Sequence, residues 1–198
     1  MRKVYYAPLV HRMNEMVSGI SGMIERRNYD IKLLDEWTDS YFSMLEKKAE
    51  KLKGRVDKIY EDGWNYGHER HVKAIKDSNR QLSILVRSFA EEGARLMKTE
   101  STPHVETMLV ICDLSKKLRS KRKWGRLQEL RAECNAQRNL YVAHRIDVTL
   151  REGEEAILFM GAAHNILFDD SITVEYLYDP AQVCLERERV ERAAYRSV

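Results

Sequence analysis

The run Ala156-Ile157-Leu158-Phe159-Met160 constrains the fold of this chain more than any other segment. It is apolar at every position, so both of its faces must be buried, as they are in the central strand of a parallel sheet. A sheet of this kind needs helices on each face, and the rest of the chain alternates strand-like runs with apolar residues at helical spacing. The sequence therefore predicts an α/β fold, with a mostly parallel sheet of four to five strands flanked by paired helices.

Four other segments show the short apolar or alternating pattern of strands, and helical patterns fill the intervals between them. The additional strands are predicted at 4–10, 55–60, 94–99 and 172–178. The helices are predicted at about 13–24, 34–48, 67–77, 79–92, 102–118, 124–150 and 181–195. Pro8 lies inside the first strand, which predicts either an edge position or the end of that strand, because proline cannot donate to a sheet ladder.

Length and composition narrow the class of protein. A chain of 198 residues with 43% hydrophobic residues can bury one good core and is short for two, so a single domain over 1–198 is expected. The net charge of +3 is too mild to indicate nucleic-acid binding by itself. Three cysteines without a CxxC pair suggest reduced thiols in the cytoplasm. No run approaches the ~20 apolar residues of a membrane span, and the N-terminal apolar run is too short for a signal peptide.

Two histidines follow apolar strands directly, at His11 and His164. In an open parallel sheet, ligands bind beyond the carboxyl ends of the strands, so the two imidazoles are expected to face one crevice. Gly161 precedes His164 and removes a side chain where backbone or substrate must approach closely. The competing interpretation is that each histidine only makes structural hydrogen bonds at a strand end.

Acidic side chains follow two other predicted strands. Glu61 and Asp62 come after the second strand, and Glu100 comes after the third. Carboxylates beside imidazoles serve as metal ligands or as general acids and bases. Taken alone, the Glu61-Asp62-Gly63 segment is also typical of a simple turn.

An arginine lies on the long helix before the buried strand. Arg138, Val142 and Arg145 share one helical face at i, i+4 and i+7. An arginine near the sheet edge can clamp a carboxylate or phosphate through two hydrogen bonds. On spacing alone, an exposed arginine face of a surface helix is the favoured interpretation.

These segments together resemble the TraB/Tiki and erythromycin-esterase/ChaN-like superfamily. The resemblance lies in the strand ending at His11, in the helical segment with Arg138 and Asn139, and in the GxxH motif Gly161-Ala162-Ala163-His164. Pro8 occupies the glycine position of the corresponding first motif.

A closer resemblance is to small prokaryotic members of the same plan, for which no activity is settled. These carry YxDG and GAxLMxTE segments, matched here at residues 60–63 and 93–100, before an ILFMGAxH segment.

The resemblance implies an α/β fold and a hydrolase activity of esterase or peptidase type, acting on a small-molecule or peptide substrate. The site residues that it implies are His11, Asp62, Glu100, Arg138 and His164, with Glu61 and Asn139 as further candidates. Two mechanisms stay open. His11 and His164 with an acid hold a divalent metal ion that activates water, or one histidine is a metal-free general base while Arg138 stabilises the oxyanion.

Two other functions compete with hydrolysis. Seven basic residues surround Trp124 between residues 116 and 126, a pattern that can hold phosphates and stack a base, although a solvated helix junction is favoured. Some members of the superfamily bind haem or iron, so a non-catalytic metal or haem binder is the second alternative. Amphipathic helices rich in methionine also suggest a homodimer.

Overall fold

The apolar segment at 156–160 forms the centre of a five-stranded sheet. The computed structural model of the chain describes residues 1–10, 30–62, 80–117 and 121–196. Its strands are β1 (Arg2–Leu9), β2 (Lys58–Glu61), β3 (Arg95–Leu96), β4 (Glu155–Gly161) and β5 (Ile172–Tyr176). They lie in the order β3-β2-β4-β1-β5 and every pair is parallel, which confirms the predicted α/β fold.

Five helices cover this sheet in the described part of the chain. They are α1 (Ile31–Glu50), α2 (Arg80–Glu91), α3 (Thr102–Lys117), α4 (Lys121–Thr149) and α5 (Pro180–Arg196). Each matches a helix predicted from apolar spacing. The helices predicted at 13–24 and 67–77 lie outside the described residues. No described helix is both long and apolar enough to cross a membrane.

Helix boundaries follow local chemistry. Asp30 caps α1, because its side chain accepts a hydrogen bond from the backbone N–H of Leu33 at 3.1 Å. Gly93, at φ 97°, ends α2 in the left-handed conformation that glycine adopts without steric cost. Pro180 begins α5, where its missing N–H costs nothing.

Alternate residues of the central strands bury opposite faces of the sheet. Ile157 and Phe159 of β4 point into a core shared with α1, α2 and the start of α5. Leu158 and Met160 point into a second core, where α4 packs Val142 and Ile146 against them. Helices on both faces leave β4 inaccessible to solvent, as its sequence predicts.

Pro8 marks the end of a pairing rather than a sheet edge. β1 lies between β4 and β5, so the edge alternative is wrong. Its pairing with β5 stops at Tyr6, whereas its pairing with β4 continues to Leu9. The carbonyl of Pro8 accepts a hydrogen bond from the Tyr41 hydroxyl at 2.6 Å. The absent N–H of Pro8 therefore removes no sheet hydrogen bond.

The strand order creates a crevice at the carboxyl edge. The chain passes from β1 to β2 and β3 on one side, then returns to β4 and ends the sheet at β5 on the other. The carboxyl ends of β2, β4 and β1 thus lie side by side, and Leu9 of β1 pairs with Gly161 of β4. This reversal is where open α/β sheets bind ligands.

Candidate active site

A buried arginine holds two carboxylates at this edge. Nε and Nη2 of Arg138 donate to Oε2 and Oε1 of Glu100, at 3.1 and 2.6 Å, in a bidentate pair. Nη2 also donates to Oδ1 of Asp62 at 2.7 Å. Glu100 is fully buried and Arg138 is 8% exposed. The favoured prediction of an exposed arginine face is therefore wrong for Arg138, which clamps carboxylates of the protein itself.

Opposite charges stabilise the charged form of Arg138. Burial alone would lower the pKa of Arg138, but the hydrogen bonds and charges of Glu100 and Asp62 outweigh it and raise that pKa. A buried ion group of this kind is tolerated only while its partners stay in place. The cluster consequently fixes the position of Asp62 on the crevice floor.

Asp62 links this cluster to the histidine motif. Its second oxygen, Oδ2, accepts a hydrogen bond from the backbone N–H of Gly161 at 3.2 Å. The same oxygen lies 3.7 Å from Nε2 of His164. A Cβ atom at position 161 would lie 3.1 Å from Cδ2 of His164 and 3.2 Å from Oδ2 of Asp62. The expected close approach at Gly161 is confirmed.

A side-chain amide orients His164. Its Nδ1 atom lies 2.7 Å from Oδ1 of Asn139 on α4. With the amide oxygen of Asn139 as the acceptor, the proton of a neutral ring is assigned to Nδ1, and Nε2 is then the basic nitrogen. The backbone N–H of His164 donates to the carbonyl of Gly161 at 2.9 Å and closes a tight turn after β4. This turn brings the imidazole ring close to Asp62.

Glu61 is a neighbouring acid of different character. It is almost fully buried at the end of β2, and its backbone N–H donates to the Thr99 hydroxyl at 2.9 Å. Burial, assisted by the negative charge of Asp62, raises the pKa of Glu61 well above its ordinary value. Glu61 therefore holds its proton to a higher pH than an ordinary glutamate does.

Two pockets adjoin His164. One, of about 460 Å³, contains Asp62, Arg138 and His164. Its other described lining residues are Leu9, Val10, Met108, Arg131, Asn135, Gly161, Ala162, Ala163, Cys184 and Arg187. The other pocket, of about 440 Å³, is bounded by Tyr6 and Tyr176, whose ring centroids lie 5.3 Å apart. His164 lines both pockets.

The described residues bring together four of the five predicted site residues. Asp62, Glu100, Arg138 and His164 form one connected cluster. His11, the fifth residue and one of the two predicted metal ligands, lies outside the described residues.

The described donors of this cluster are by themselves too few to make a metal site. Among the described residues, no group of three or more His, Cys, Asp or Glu side chains could hold a metal ion. Both oxygens of Asp62 already accept N–H groups, and the Arg138 guanidinium beside it repels a cation. The metal ligation predicted for His11 with His164 stays a prediction.

The basic segment at the α3–α4 junction combines exposed basic residues with a partly buried tryptophan. Arg122, Lys123 and Arg126 are exposed. Trp124, however, packs against the small cluster of Ile111, Leu127 and Cys134 between the two helices. The Trp124 ring is thus partly buried between α3 and α4, so less of it is exposed for stacking on a base.

One face of α4 lines the crevice, and part of this face was not predicted from the sequence. Residues 131, 135, 138 and 139 follow i, i+4, i+7 and i+8 spacing, and all lie at the crevice. Asn139 was a further candidate without an assigned role, and Arg131 and Asn135 were not singled out. The polar character of this face at helical spacing was the signal that could have identified them.

Comparisons of the chain with models of protein families, with curated proteins and with solved structures gave no match. The resemblance to the TraB/Tiki and erythromycin-esterase/ChaN-like superfamily therefore stays a prediction.

Proposed function

We propose that this protein is a hydrolase that cleaves an ester or amide bond without a metal ion, with His164 as the general base. The observation that supports this most directly is the hydrogen bond between Nδ1 of His164 and Oδ1 of Asn139, at 2.7 Å. It makes Nε2 the basic nitrogen of a ring that lines the pocket. The superfamily resemblance supports the same class of reaction.

Water is the nucleophile in this proposal. Nε2 of His164 and Oδ2 of Asp62 are two acceptors 3.7 Å apart, a separation that one water molecule can bridge by donating to both. As the water oxygen attacks the substrate carbonyl, its proton passes to Nε2. The imidazolium then returns this proton to the leaving group as the carbon–oxygen or carbon–nitrogen bond of the tetrahedral intermediate breaks.

Asp62 and Arg138 act on the charge that forms during this step. The Asp62 carboxylate stabilises the imidazolium, and Arg138 holds that carboxylate in place. Nε and Nη2 of Arg138 are committed to Glu100 and Asp62, which leaves them unsuited to binding an oxyanion. We therefore assign Arg138 as a positioning residue for Asp62, in place of the oxyanion role expected from sequence.

The test is hydrolysis of 4-nitrophenyl acetate and butyrate by protein treated with EDTA. We expect turnover above the buffer rate that is unchanged by EDTA and that falls about 100-fold or more in His164→Gln, the usual contribution of a general base. His144→Gln is the matched control, because His144 is an exposed histidine of α4. Equal rates in wild type and His164→Gln would contradict the proposal.

The setting of this activity is also a proposal. Cys112, Cys134 and Cys184 are all free thiols in the structure, which supports a reducing compartment such as the cytoplasm. A small-molecule or peptide substrate suits pockets of this size. A homodimer remains a prediction from sequence.

A further inference from the structure

Among the described residues, three arginines line the larger pocket beside His164, and two of them have carboxylate partners. Arg138 is bound to Glu100 and Asp62, and Nε of Arg187 donates to Oε1 of Glu191 at 2.8 Å. Arg131 is half-buried and makes no hydrogen bond or ion pair with any residue in the described ranges. A pocket-lining guanidinium without a carboxylate partner is suited to bind an anion that arrives with a ligand.

The position of Arg131 relates it to the reacting end of the pocket. It lies on the same face of α4 as Asn135 and Arg138, at i, i+4 and i+7. Asn139, which orients His164, lies eight residues after Arg131 on α4. The backbones of Arg131 and Asn139 are therefore about 12 Å apart along the helix. The Arg131 side chain and His164 therefore border the two ends of one pocket.

The pocket walls between these ends are partly apolar. Leu9, Val10 and Met108 line it together with the small residues Ala162 and Ala163. Apolar walls lower the local dielectric, which strengthens the attraction between Arg131 and an anionic group. They also suit a short hydrocarbon linker between the two polar ends of a ligand.

We propose that Arg131 forms an anion subsite, so that the substrate of this hydrolase carries a carboxylate or phosphate roughly 10 Å from its scissile carbonyl. The carbonyl is placed at His164, and this part of the inference rests on the proposed function. Anion binding at Arg131 does not depend on hydrolysis. The guanidinium fork donates hydrogen bonds to carboxylate and phosphate oxygens with similar geometry, so both sources are tested.

The binding test uses calorimetric titration of the full chain with three probes. Monomethyl suberate carries one carboxylate, dimethyl suberate is its neutral counterpart, and inorganic phosphate is the alternative anion. We expect wild type to bind at least one anion, and the affinity for it to fall about tenfold or more in Arg131→Gln. Monomethyl suberate should also bind more tightly than dimethyl suberate. Which anion binds identifies the source of the charge.

Two variants control for general effects of charge. Arg126→Gln removes an exposed arginine from the same helix outside the pocket and should bind as wild type does. Arg131→Lys keeps the charge without the fork and should retain part of the affinity. The subsite is refuted if neither anion binds wild type, or if Arg131→Gln and Arg126→Gln weaken binding equally.

A kinetic test separates this inference from the proposed function. Mono-4-nitrophenyl suberate and its methyl ester differ only in the distant charge. We expect wild type to prefer the charged ester in kcat/KM, and Arg131→Gln to lose this preference while it still hydrolyses the neutral ester. Hydrolysis that depends on His164 but shows no charge preference would refute the subsite alone. Anion binding that depends on Arg131, without hydrolysis that depends on His164, would refute the hydrolase alone.

Discussion

Nδ1 of His164 and Oδ1 of Asn139 are 2.7 Å apart, across a contact between the turn after β4 and helix α4. This contact fixes both the tautomer and the direction of the imidazole ring. Two elements distant in sequence thereby produce one oriented base beside Asp62.

Replacing the orienting amide tests this relationship. Asn139→Leu removes the acceptor for Nδ1–H but keeps a side chain of similar size, so the ring loses its fixed tautomer. We expect kcat for 4-nitrophenyl butyrate to fall about tenfold or more, with little change in KM, because orientation acts in the proton-transfer step. Leu140→Asn is a control at an exposed neighbouring position, and it should leave kcat unchanged. An unchanged kcat in Asn139→Leu would mean that the amide does not position the base.

Gly161 provides a steric test of the same cluster. Gly161→Ala would place a methyl group 3.1 Å from Cδ2 of His164 and 3.2 Å from Oδ2 of Asp62, closer than ordinary contacts. We expect it to push these side chains apart and to lower kcat/KM about tenfold.

Gly125→Ala is the matched control for this substitution. Gly125 lies inside α4 with nothing within 4 Å of an added Cβ, so alanine should raise the free energy of unfolding by about 0.5–1 kcal/mol without affecting hydrolysis. Full activity in Gly161→Ala would show that the close approach is unimportant.

Removal of the Arg138 charge should destabilise the fold. Arg138→Met leaves Glu100 buried and deprives Asp62 of its cation, and breaking such a buried group typically costs about 3–5 kcal/mol. Without the cation, the two carboxylates lie together with no positive charge between them, and binding a proton relieves their repulsion. The variant should then be relatively more stable in acid and lose stability as the pH rises, which urea unfolding at several pH values would detect. A loss of stability independent of pH would contradict this electrostatic account.

Glu61 gives a prediction of stability against pH in the wild type. Its pKa in the folded protein is well above the ordinary value because of burial and the charge of Asp62. At pH values between the pKa of Glu61 in the unfolded chain and its higher pKa in the folded protein, the native state binds more protons than the unfolded state. The free energy of unfolding therefore falls as the pH rises through this interval. Glu61→Gln is close in shape and cannot ionise, so its stability relative to wild type should increase by up to about 1.4 kcal/mol per pH unit in this interval.

The control for this experiment is Glu106→Gln, at an exposed position of α3. It should follow the pH dependence of wild type. If Glu61→Gln also follows wild type, Glu61 is not the group that titrates.

The elements of the fold were predictable because each depends on a local pattern. The apolar run of β4 and the helical spacing in α4 required no knowledge of distant residues. The strand order was not predictable, because the pairing of β1 with β4 joins segments about 150 positions apart in the chain. The burial of Arg138 was missed for the same reason. Helical spacing cannot show that Glu100 and Asp62, which follow two strands of the sheet, contact this helix.

The rule that ligands bind beyond the carboxyl ends of parallel strands predicted more of this site than helical spacing did. It placed Asp62, Glu100 and His164 at one edge because parallel strands share a direction, and the structure brings these three together. The role of Asn139 was not accessible to this rule, because it depends on the direction of one imidazole ring.

The role of His164 as the general base is tested by the pH dependence of kcat/KM for ester hydrolysis, compared among EDTA-treated wild type, His164→Gln and His144→Gln. If Nε2 of His164 accepts the proton, wild type and His144→Gln should show a rise in kcat/KM with pH in the neutral range, where an imidazole loses its proton. His164→Gln should lack this rise. The same rise in His164→Gln, at a comparable rate, would contradict the assignment of His164 as the base.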